Sequence, residues 1–206
     1  DPCLDWHKQL EADLIIDSTP HPSHYENAMR AFQAGMHVLV VKPMSDDYHR
    51  AQVMVSEAER NGRKLVVAQQ IRFFAPCLKL KKYIAQGLIG EIAYVGVDVF
   101  FKRLGPVRVK WFQPYPLLVE AAIHHFDLMR WILGQNMVVV QADTCNMPWN
   151  GDVWGKKSAC CIFRTANDAR VIFRGLATDQ KGETYPGTWV VEGTKGILCM
   201  RGGRIW

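Results

Sequence analysis

Residues 37–41 form the stretch that most constrains the fold of this chain. Their sequence, HVLVV, contains three valines and a leucine without a break, which predicts a strand buried on both faces. Lys42-Pro43 ends the strand, because proline has no N–H group to donate to a sheet ladder. Such strands are typical of parallel sheets, which place their ligands at the carboxyl ends of the strands. Lys42 is therefore a candidate functional residue, although a solvated lysine also fits this position.

Strands and helices alternate on both sides of this stretch. Residues 13–17 and 64–68 predict two further strands, and helices are expected at about 23–34 and 45–60. Each helix begins with a serine suited to N-capping, the first in an S-x-x-E capping box. Short connections of this kind indicate a Rossmann-like parallel sheet. Three strands would leave an apolar edge exposed, so further strands are expected to precede the first residue.

Beyond residue 75 the pattern changes to runs of sequential strands. Helices are expected at 76–86 and 119–133, with a β-rich stretch at 92–101 between them. Five more strands are predicted at 137–143, 157–163, 169–176, 188–193 and 196–200. This arrangement is typical of an α+β domain with a mostly antiparallel open sheet. The expected organisation is therefore α/β plus α+β, with domains at 1–75 and 76–206.

Composition excludes several classes of function. The chain is 49% hydrophobic and 22% charged, as in globular proteins and unlike disordered or fibrous ones. The net charge of +5 is spread along the chain, and the longest basic run is Lys79–Lys82, so no nucleic-acid partner is expected. No apolar run approaches the roughly 20 residues that span a bilayer, so no membrane partner is expected. The six cysteines form no C-x-x-C pair, which favours reduced thiols and a cytoplasmic location.

Three groups of polar residues are candidates for chemistry. The first is Lys42-Pro43, and the second is the loop Ser18–His24, which precedes a helix N-terminus suited to an anion. The third lies on the long helix of the second half, where Glu120, His124 and Asp127 would share one face. A carboxylate one turn from an imidazole can raise its pKa and fix its tautomer, which suits acid/base catalysis.

The third group also has structural interpretations. A Glu–His pair at this spacing is common on helix surfaces. Glu120, His124 and His125 could together suggest a metal site, but no further ligand cluster accompanies them, so no metal is expected.

Taken in order, short motifs along nearly the whole chain resemble one known family. The motifs are Thr19-Pro20, His24, Ala34-Gly35, residues 37–43, Arg72-Phe73, Gly87–Ile92, His124–Gly134 and Glu192–Gly196. Their order and spacing resemble the Gfo/Idh/MocA oxidoreductases. The resemblance implies an NAD- or NADP-dependent dehydrogenase or reductase that transfers hydride between the cofactor and a sugar-, polyol- or dihydrodiol-type alcohol. It also implies a homo-oligomer, a dimer or tetramer, formed through the C-terminal sheet.

The resemblance also assigns roles to individual residues. Lys42 would assist proton transfer and His124 would act as the acid/base, with Glu120 in the place of the family's usual aspartate. Arg72 and His125 would join His124 at the small-molecule substrate, with a subunit contact as the alternative for Arg72. The cofactor would be contacted by Thr19, Pro20, His24, Lys42, Pro43 and Gln70. The Lys42–Pro43 peptide bond is expected to be cis. This division of labour is chemically sensible, because the hydroxyl group must lose a proton while the nicotinamide takes the hydride.

The sequence departs from the family's pattern at several positions. Val41 replaces a glutamate, Glu120 an aspartate and Ala122 a glycine, while Pro114–Leu118 replaces a glycine-rich stretch. No G-x-G-x-x-G turn occurs in the 206 residues, so we expect a fragment of a longer enzyme that binds dinucleotide weakly or not at all. Two alternatives stay open: a non-catalytic, cofactor-dependent sensor or regulatory relative, and a truncated oligomerisation module.

Overall fold

The chain divides into two compact units. The structure, a computed structural model, describes residues 6–102, 115–146, 155–178 and 185–206. The units meet between Gln69 and Gln70, six residues before the predicted boundary. The division falls there because the 3-10 helix Gln70–Phe73 packs against two helices of the second unit. Most of the stretch 103–116, including Pro114 of the predicted departures, lies outside the described residues.

The first unit contains a three-stranded parallel sheet. Its strands are β1 (Leu14–Asp17), β2 (His37–Val41) and β3 (Leu65–Ala68), in the order β1-β2-β3. Its helices are α1 (Trp6–Gln9), α2 (His24–Gln33) and α3 (Tyr48–Arg60). The strand around which the sequence is organised is thus the central one, and the predicted parallel sheet is confirmed.

Helices α2 and α3 cover one face of this sheet. Val38 and Val40 are fully buried against them. On the opposite face of the described sheet, Ile16 is 67% exposed and Val66 is 49% exposed. The prediction that β2 is buried on both faces is therefore wrong for the described residues, because its alternate side chains, such as Leu39, are only partly buried.

The start of α2 differs from the predicted capping box. Ser23 makes no side-chain capping bond, because the 3-10 turn His21–Ser23 runs directly into the helix and gives Ser23 a helical conformation. The backbone N–H groups of Ser23 and His24 donate to the carbonyl groups of Pro20 and His21. These two N–H groups are consequently not available to an anion.

The start of α3 also differs from the prediction. Asp47, and not Ser45, occupies the capping position, and its carboxylate accepts a hydrogen bond from the Arg50 N–H at 2.7 Å. The Ser45 hydroxyl instead accepts from the Asp47 N–H, so the serine supports the cap rather than forming it.

The second unit contains a seven-stranded mixed sheet. Its strands are β4 (Ile92–Lys102), β5 (Met137–Cys145), β6 (Ser158–Thr165), β7 (Arg170–Thr178), β8 (Thr188–Gly193), β9 (Gly196–Arg201) and β10 (Arg204–Ile205). They lie in the order β10-β9-β8-β4-β7-β6-β5. Among the described strand pairs of this second sheet, only β4–β7 is parallel, so the predicted mostly antiparallel sheet is confirmed. The short β10 was not predicted.

Two α-helices pack on one face of this sheet: α4 (Ala75–Ala85) and α5 (Ile123–Leu133). A π-helix at Leu117–Ala122 leads into α5, where the pattern predicted an ordinary α-helix. Hydrogen bonds in a π-helix span five residues, and such segments are frequent at functional sites. The α-helical spacing assumed for Glu120 and His124 therefore does not apply. Among the described residues, no helix has the length and apolar character needed to cross a bilayer.

Candidate functional site

The carboxyl end of β1 carries an ordered polar turn. The buried carboxylate of Asp17 accepts hydrogen bonds from the Thr19 N–H at 3.0 Å and the Thr19 hydroxyl at 2.6 Å. Its second oxygen accepts from the Asn27 side chain at 3.1 Å. These bonds leave Thr19 and Pro20 exposed at the sheet edge where parallel sheets place ligands. Asp17 and Asn27 were missed by sequence reasoning, although an aspartate directly before Ser-Thr-Pro is a signal for such a turn.

His24 joins the carboxyl ends of β1 and β2. Its Nδ1 lies 2.9 Å from the Pro43 carbonyl oxygen and its Nε2 lies 2.8 Å from that of Thr19. The ring is completely buried. His24 was predicted to contact the cofactor. In the structure its buried ring connects the loops that contain Thr19 and Pro43, as a positioning residue does.

Lys42 lies at the carboxyl end of β2, where it is half-buried. The peptide bond to Pro43 is cis, as the resemblance implies. Pro43 is buried, and its carbonyl group is the one held by His24. The first unit thus brings together Thr19, Pro20 and the Lys42–Pro43 turn at one edge of its sheet.

Three rings meet near the start of α5 in the second unit. The Tyr185 ring stacks on His125, with centroids 5.6 Å apart and planes 16° apart. It meets His124 edge-on, at 5.9 Å and 85°. Both imidazole rings are buried, whereas Tyr185 is 40% exposed. We call these three residues the ring cluster.

Burial and a nearby carboxylate set the protonation of Tyr185. Burial raises the pKa of the phenol to about 12, with a further contribution from the negative charge of Glu120. The phenol therefore keeps its proton at physiological pH and can donate a hydrogen bond. Glu120, on the π-helix, is therefore close enough for its charge to act on the Tyr185 phenol.

The turn at 185–187 places Tyr185 in the cluster. The Trp189 indole N–H donates to the Pro186 carbonyl at 3.0 Å. Gly187 has a φ of +85°, and a Cβ there would lie 2.5 Å from the Asp98 carbonyl oxygen, so only glycine permits this approach to β4. Sequence reasoning missed Tyr185, because no local pattern connects it with histidines so far away in the chain.

His125 is enclosed rather than presented to a ligand. Burial lowers the pKa of its imidazole to about 4, although the carbonyl groups of Ala121 and Pro186 favour the protonated ring. Its Nδ1 lies 3.4 Å from the Ala121 oxygen, and its other ring neighbour is Phe173. The neutral ring is fully buried and has the place of a positioning residue in this structure, and its predicted substrate contact stays a prediction.

Arg72 is engaged by a carboxylate within the second unit. Its Nε donates to Asp127 Oδ2 at 2.6 Å and its Nη2 donates to Oδ1, which forms a forked pair. The hydrogen bond with Asp127 raises the pKa of the guanidinium further above its ordinary value. Gln70, two residues earlier, is exposed. The predicted substrate contact of Arg72 therefore competes with a strong internal partner.

Two other features of the described residues do not belong to the ring cluster. No group of three or more His, Cys, Asp or Glu side chains in the described ranges is arranged to hold a metal ion. A cavity of about 640 Å³ lies at the other end of α5, and its lining includes Lys81, Glu91 and Gln135 but neither His124 nor Tyr185.

Comparisons with known proteins agree with the fold of both units. Residues 77–199 match the GFO/IDH/MocA C-terminal domain, and residues 4–69 match the NAD-binding Rossmann fold of the same oxidoreductase family. The expected cofactor class is therefore confirmed at the level of the family.

Individual relatives cover different parts of the chain. An uncharacterised oxidoreductase of Escherichia coli, YdgJ, is 37% identical over 56% of this chain and 36% of its own length. An inositol 2-dehydrogenase of Rhizobium meliloti is 25% identical over 94% of this chain and 58% of its own length. The chain thus spans between about a third and three fifths of these curated relatives.

A solved structure extends the likeness to the whole described fold. The WlbA dehydrogenase of Bordetella pertussis, in complex with NADH and UDP-GlcNAcA, is 28% identical to this chain, with a TM-score of 0.85. The match covers 98% of this chain and 60% of that one. Together with the family matches across both units, this shows that the chain belongs to the Gfo/Idh/MocA family of oxidoreductases.

Proposed function

We propose that this protein transfers a hydride between NAD or NADP and a sugar-, polyol- or dihydrodiol-type alcohol. The observation that carries the proposal is the carboxyl edge of the first unit, where Asp17 and His24 hold Thr19 and the Lys42–Pro43 turn in place. Relatives named for inositol, or solved with NADH and UDP-GlcNAcA, support an alcohol substrate of this class.

The residues of this edge fit the nicotinamide portion of a dinucleotide. Thr19 and Pro20 are exposed and rigidly held, and Lys42 is half-buried beside the buried Pro43. When bound, the nicotinamide supplies the hydride acceptor or donor. The chain's own part is to orient that group with Thr19, Pro20, Pro43 and Gln70, while His24 holds the loops from behind.

Lys42 and His124 are the proposed acid/base groups that exchange a proton with the substrate hydroxyl group. An alcohol must lose this proton as the hydride leaves, and an amine or imidazole with a pKa near the working pH suits the transfer. In this proposal Glu120 supports His124, and the Tyr185 phenol, whose pKa is raised by burial and by the charge of Glu120 and which is partly exposed, donates to a substrate oxygen. Arg72 contacts the substrate only where Asp127 leaves one of its N–H groups available.

A homo-oligomer, dimer or tetramer, forms through the open face of the seven-stranded sheet. That face carries the exposed side chains of Tyr94 and Ile197 and the forked pair between Arg174 and Asp98, whose two bonds are both 2.6 Å. A large, partly apolar face of this kind suits association. The five cysteines among the described residues all have free thiols, which supports a reducing, cytoplasmic location.

The test combines cofactor binding with turnover. NADH and NADPH are titrated into the protein while tryptophan fluorescence is followed, and the protein is then assayed with myo-inositol, a methyl glucoside, UDP-GlcNAcA and a trans-dihydrodiol. Turnover of at least one alcohol is expected, and the titration tests the prediction, made from the absence of a G-x-G-x-x-G turn in the 206 residues, that they bind dinucleotide weakly or not at all. Absence of turnover across the panel would contradict the proposed reaction.

Two residues favour a second candidate function, that of a non-catalytic sensor. Val41 and Glu120 depart from the family's pattern at the proposed site, which favours a cofactor-dependent sensor that has lost catalysis. Saturable NADH binding without turnover would support the sensor. Self-association without any cofactor binding would instead support an oligomerisation module.

A further inference from the structure

The forked pair joins Arg72 to Asp127 on the helix that carries His124, and the proposed chemistry assigns no role to the pair itself. We propose that Arg72 is a positioning residue, which fixes the rotation and height of α5 and thereby the place of the His124 ring. The inference rests on the proposed function only for the role of His124, and its test needs no turnover.

Apolar contacts hold the side of α5 that faces the sheet. The Phe126 ring packs edge-on against Phe163 at 5.6 Å and against Phe173 at 5.1 Å. Leu128 and Met129 are fully buried in the same core. Because hydrophobic attraction is non-directional, this packing holds α5 on the sheet but specifies its rotation less sharply than directional bonds do.

Directional contacts hold α5 on another side. Asp127 lies one turn after His124, and its two oxygens receive two parallel N–H bonds from Arg72. Forked Arg–carboxylate pairs fix geometry as well as energy. A displacement of Asp127 therefore displaces His124, because both belong to one hydrogen-bonded helix.

The next turn of α5 is held by two cations. The Lys81 ammonium lies 4.2 Å from the centroid of the Trp131 indole and donates to the Trp131 carbonyl oxygen. The Arg72 guanidinium lies 6.0 Å from the centroid of the same ring. Cations near the C-terminal end of a helix are favourable, and cation–π contacts add to the attraction. Arg72 thus contacts two successive turns of α5, from a 3-10 helix that begins the second unit.

The test follows the His124 ring directly by imidazole ¹⁵N NMR over a pH titration. The variants are Arg72→Ala, Arg72→Lys and the exchanged pair R72D/D127R. The signals of His124 are assigned by their loss in His124→Asn. Arg170→Ala is the matched control, because it removes an arginine from an exposed ion pair with Asp168 in the same unit.

Arg72→Ala is expected to move the His124 signals and their titration midpoint, whereas Arg170→Ala leaves both unchanged. Arg72→Lys keeps the charge but loses the fork, so a smaller displacement in the same direction is expected. The exchanged pair is expected to restore part of the original spectrum. If turnover is established, kcat should fall roughly 10- to 100-fold in Arg72→Ala, as expected for a misplaced catalytic group.

Unchanged His124 signals in Arg72→Ala would overturn the inference, even if the melting temperature falls. If Arg72→Ala does not fold, Arg72→Lys decides the question, and an unchanged spectrum in that variant overturns the inference equally. A protein that turns over none of the alcohols would contradict the proposed function, while the NMR result would still decide whether Arg72 positions His124.

Discussion

The two units hold their candidate residues in different ways. In the first unit, hydrogen bonds hold two loops: the Asp17 carboxylate accepts from the Thr19 N–H, and the His24 ring nitrogens bond with the carbonyl groups of Thr19 and Pro43. In the second unit, His125 and Tyr185 come from distant segments and meet through ring stacking and burial.

Because of this difference, the two units should be sensitive to different changes. Hydrogen-bonded loops lose their shape when one donor or acceptor is removed, because the remaining partner stays buried and unsatisfied. A stacked, buried ring cluster tolerates small changes of shape but not the arrival of a charge, because a charge in a dry site is costly. The first unit should therefore respond to substitution and the second to protonation.

The largest effects should come from the residue in each unit that is proposed to move the proton. Lys42→Ala and His124→Ala are each expected to lower kcat by roughly 10²-fold or more in steady-state assays, because each removes an acid/base group. The matched controls are Lys64→Ala and His49→Ala, which remove exposed residues of the same types. Near-normal turnover in both Lys42→Ala and His124→Ala would contradict the assigned roles.

Much of the first unit could be predicted from the sequence, because its determinants are local. The valine-rich strand, the Lys-Pro terminus and the short connections specify a parallel sheet with Lys42 at its carboxyl edge. The capping residues of the two helices were nevertheless predicted wrongly, because neighbouring groups compete for the same backbone positions. Asp47 takes the cap expected of Ser45, since its carboxylate accepts a bond from Arg50, and the 3-10 turn removes the cap expected of Ser23.

The site of the second unit was less predictable, because it depends on contacts between distant segments. The sequence predicted His124 and Glu120 on one α-helix, but its periodicity did not indicate the π-helix before α5. No local sequence pattern indicates that the Tyr185 ring stacks on His125, or that the Arg72 guanidinium pairs with Asp127. These pairings become visible only when the fold brings the segments together.

The second-largest effect should be a loss of stability at acid pH that depends on His125. Its pKa is about 4 in the folded protein and about 6.5 in an unfolded chain, so the unfolded state binds more protons between these values. The stabilising contribution is therefore complete above about pH 6.5 and is lost as the pH falls towards 4. The free energy of unfolding should fall by up to ~3 kcal/mol over this window, measured by urea unfolding at several pH values.

The variant His125→Phe isolates this contribution, because phenylalanine keeps an aromatic ring beside Tyr185 and cannot take up a proton. Its free energy of unfolding should depend less steeply on pH between 6.5 and 4 than that of the wild type. If the free energy of unfolding depends equally on pH in the two proteins, His125 is not the group that titrates. The second unit would then not be more sensitive to protonation than the first.

A smaller effect is expected in the first unit from His24→Ala. Removal of the ring takes this partner from the carbonyl groups of Thr19 and Pro43, which should cost about 2 kcal/mol in free energy of unfolding. Urea unfolding at pH 7 measures the change, and His49→Ala serves as the control from the same unit. The affinity for NADH should fall as well, because the exposed Thr19–Pro20 loop loses its support. Unchanged stability and affinity would show that the loops do not depend on this ring.

The smallest effect should follow from Tyr185→Phe, which keeps the stacked ring and removes only the hydroxyl group. Its free energy of unfolding at pH 7 should change by less than about 1 kcal/mol, because the ring contacts remain. The spectroscopic titration of the six tyrosines should nevertheless lose a component near pH 12, where burial and Glu120 place the ionisation of Tyr185. Tyr48→Phe, which alters a highly exposed tyrosine, should leave that late component in place. If Tyr185→Phe retains this late component, the component does not come from Tyr185, and the ring cluster does not shield that phenol from solvent. The residues of the second unit would then be as accessible to solvent as the exposed edge of the first.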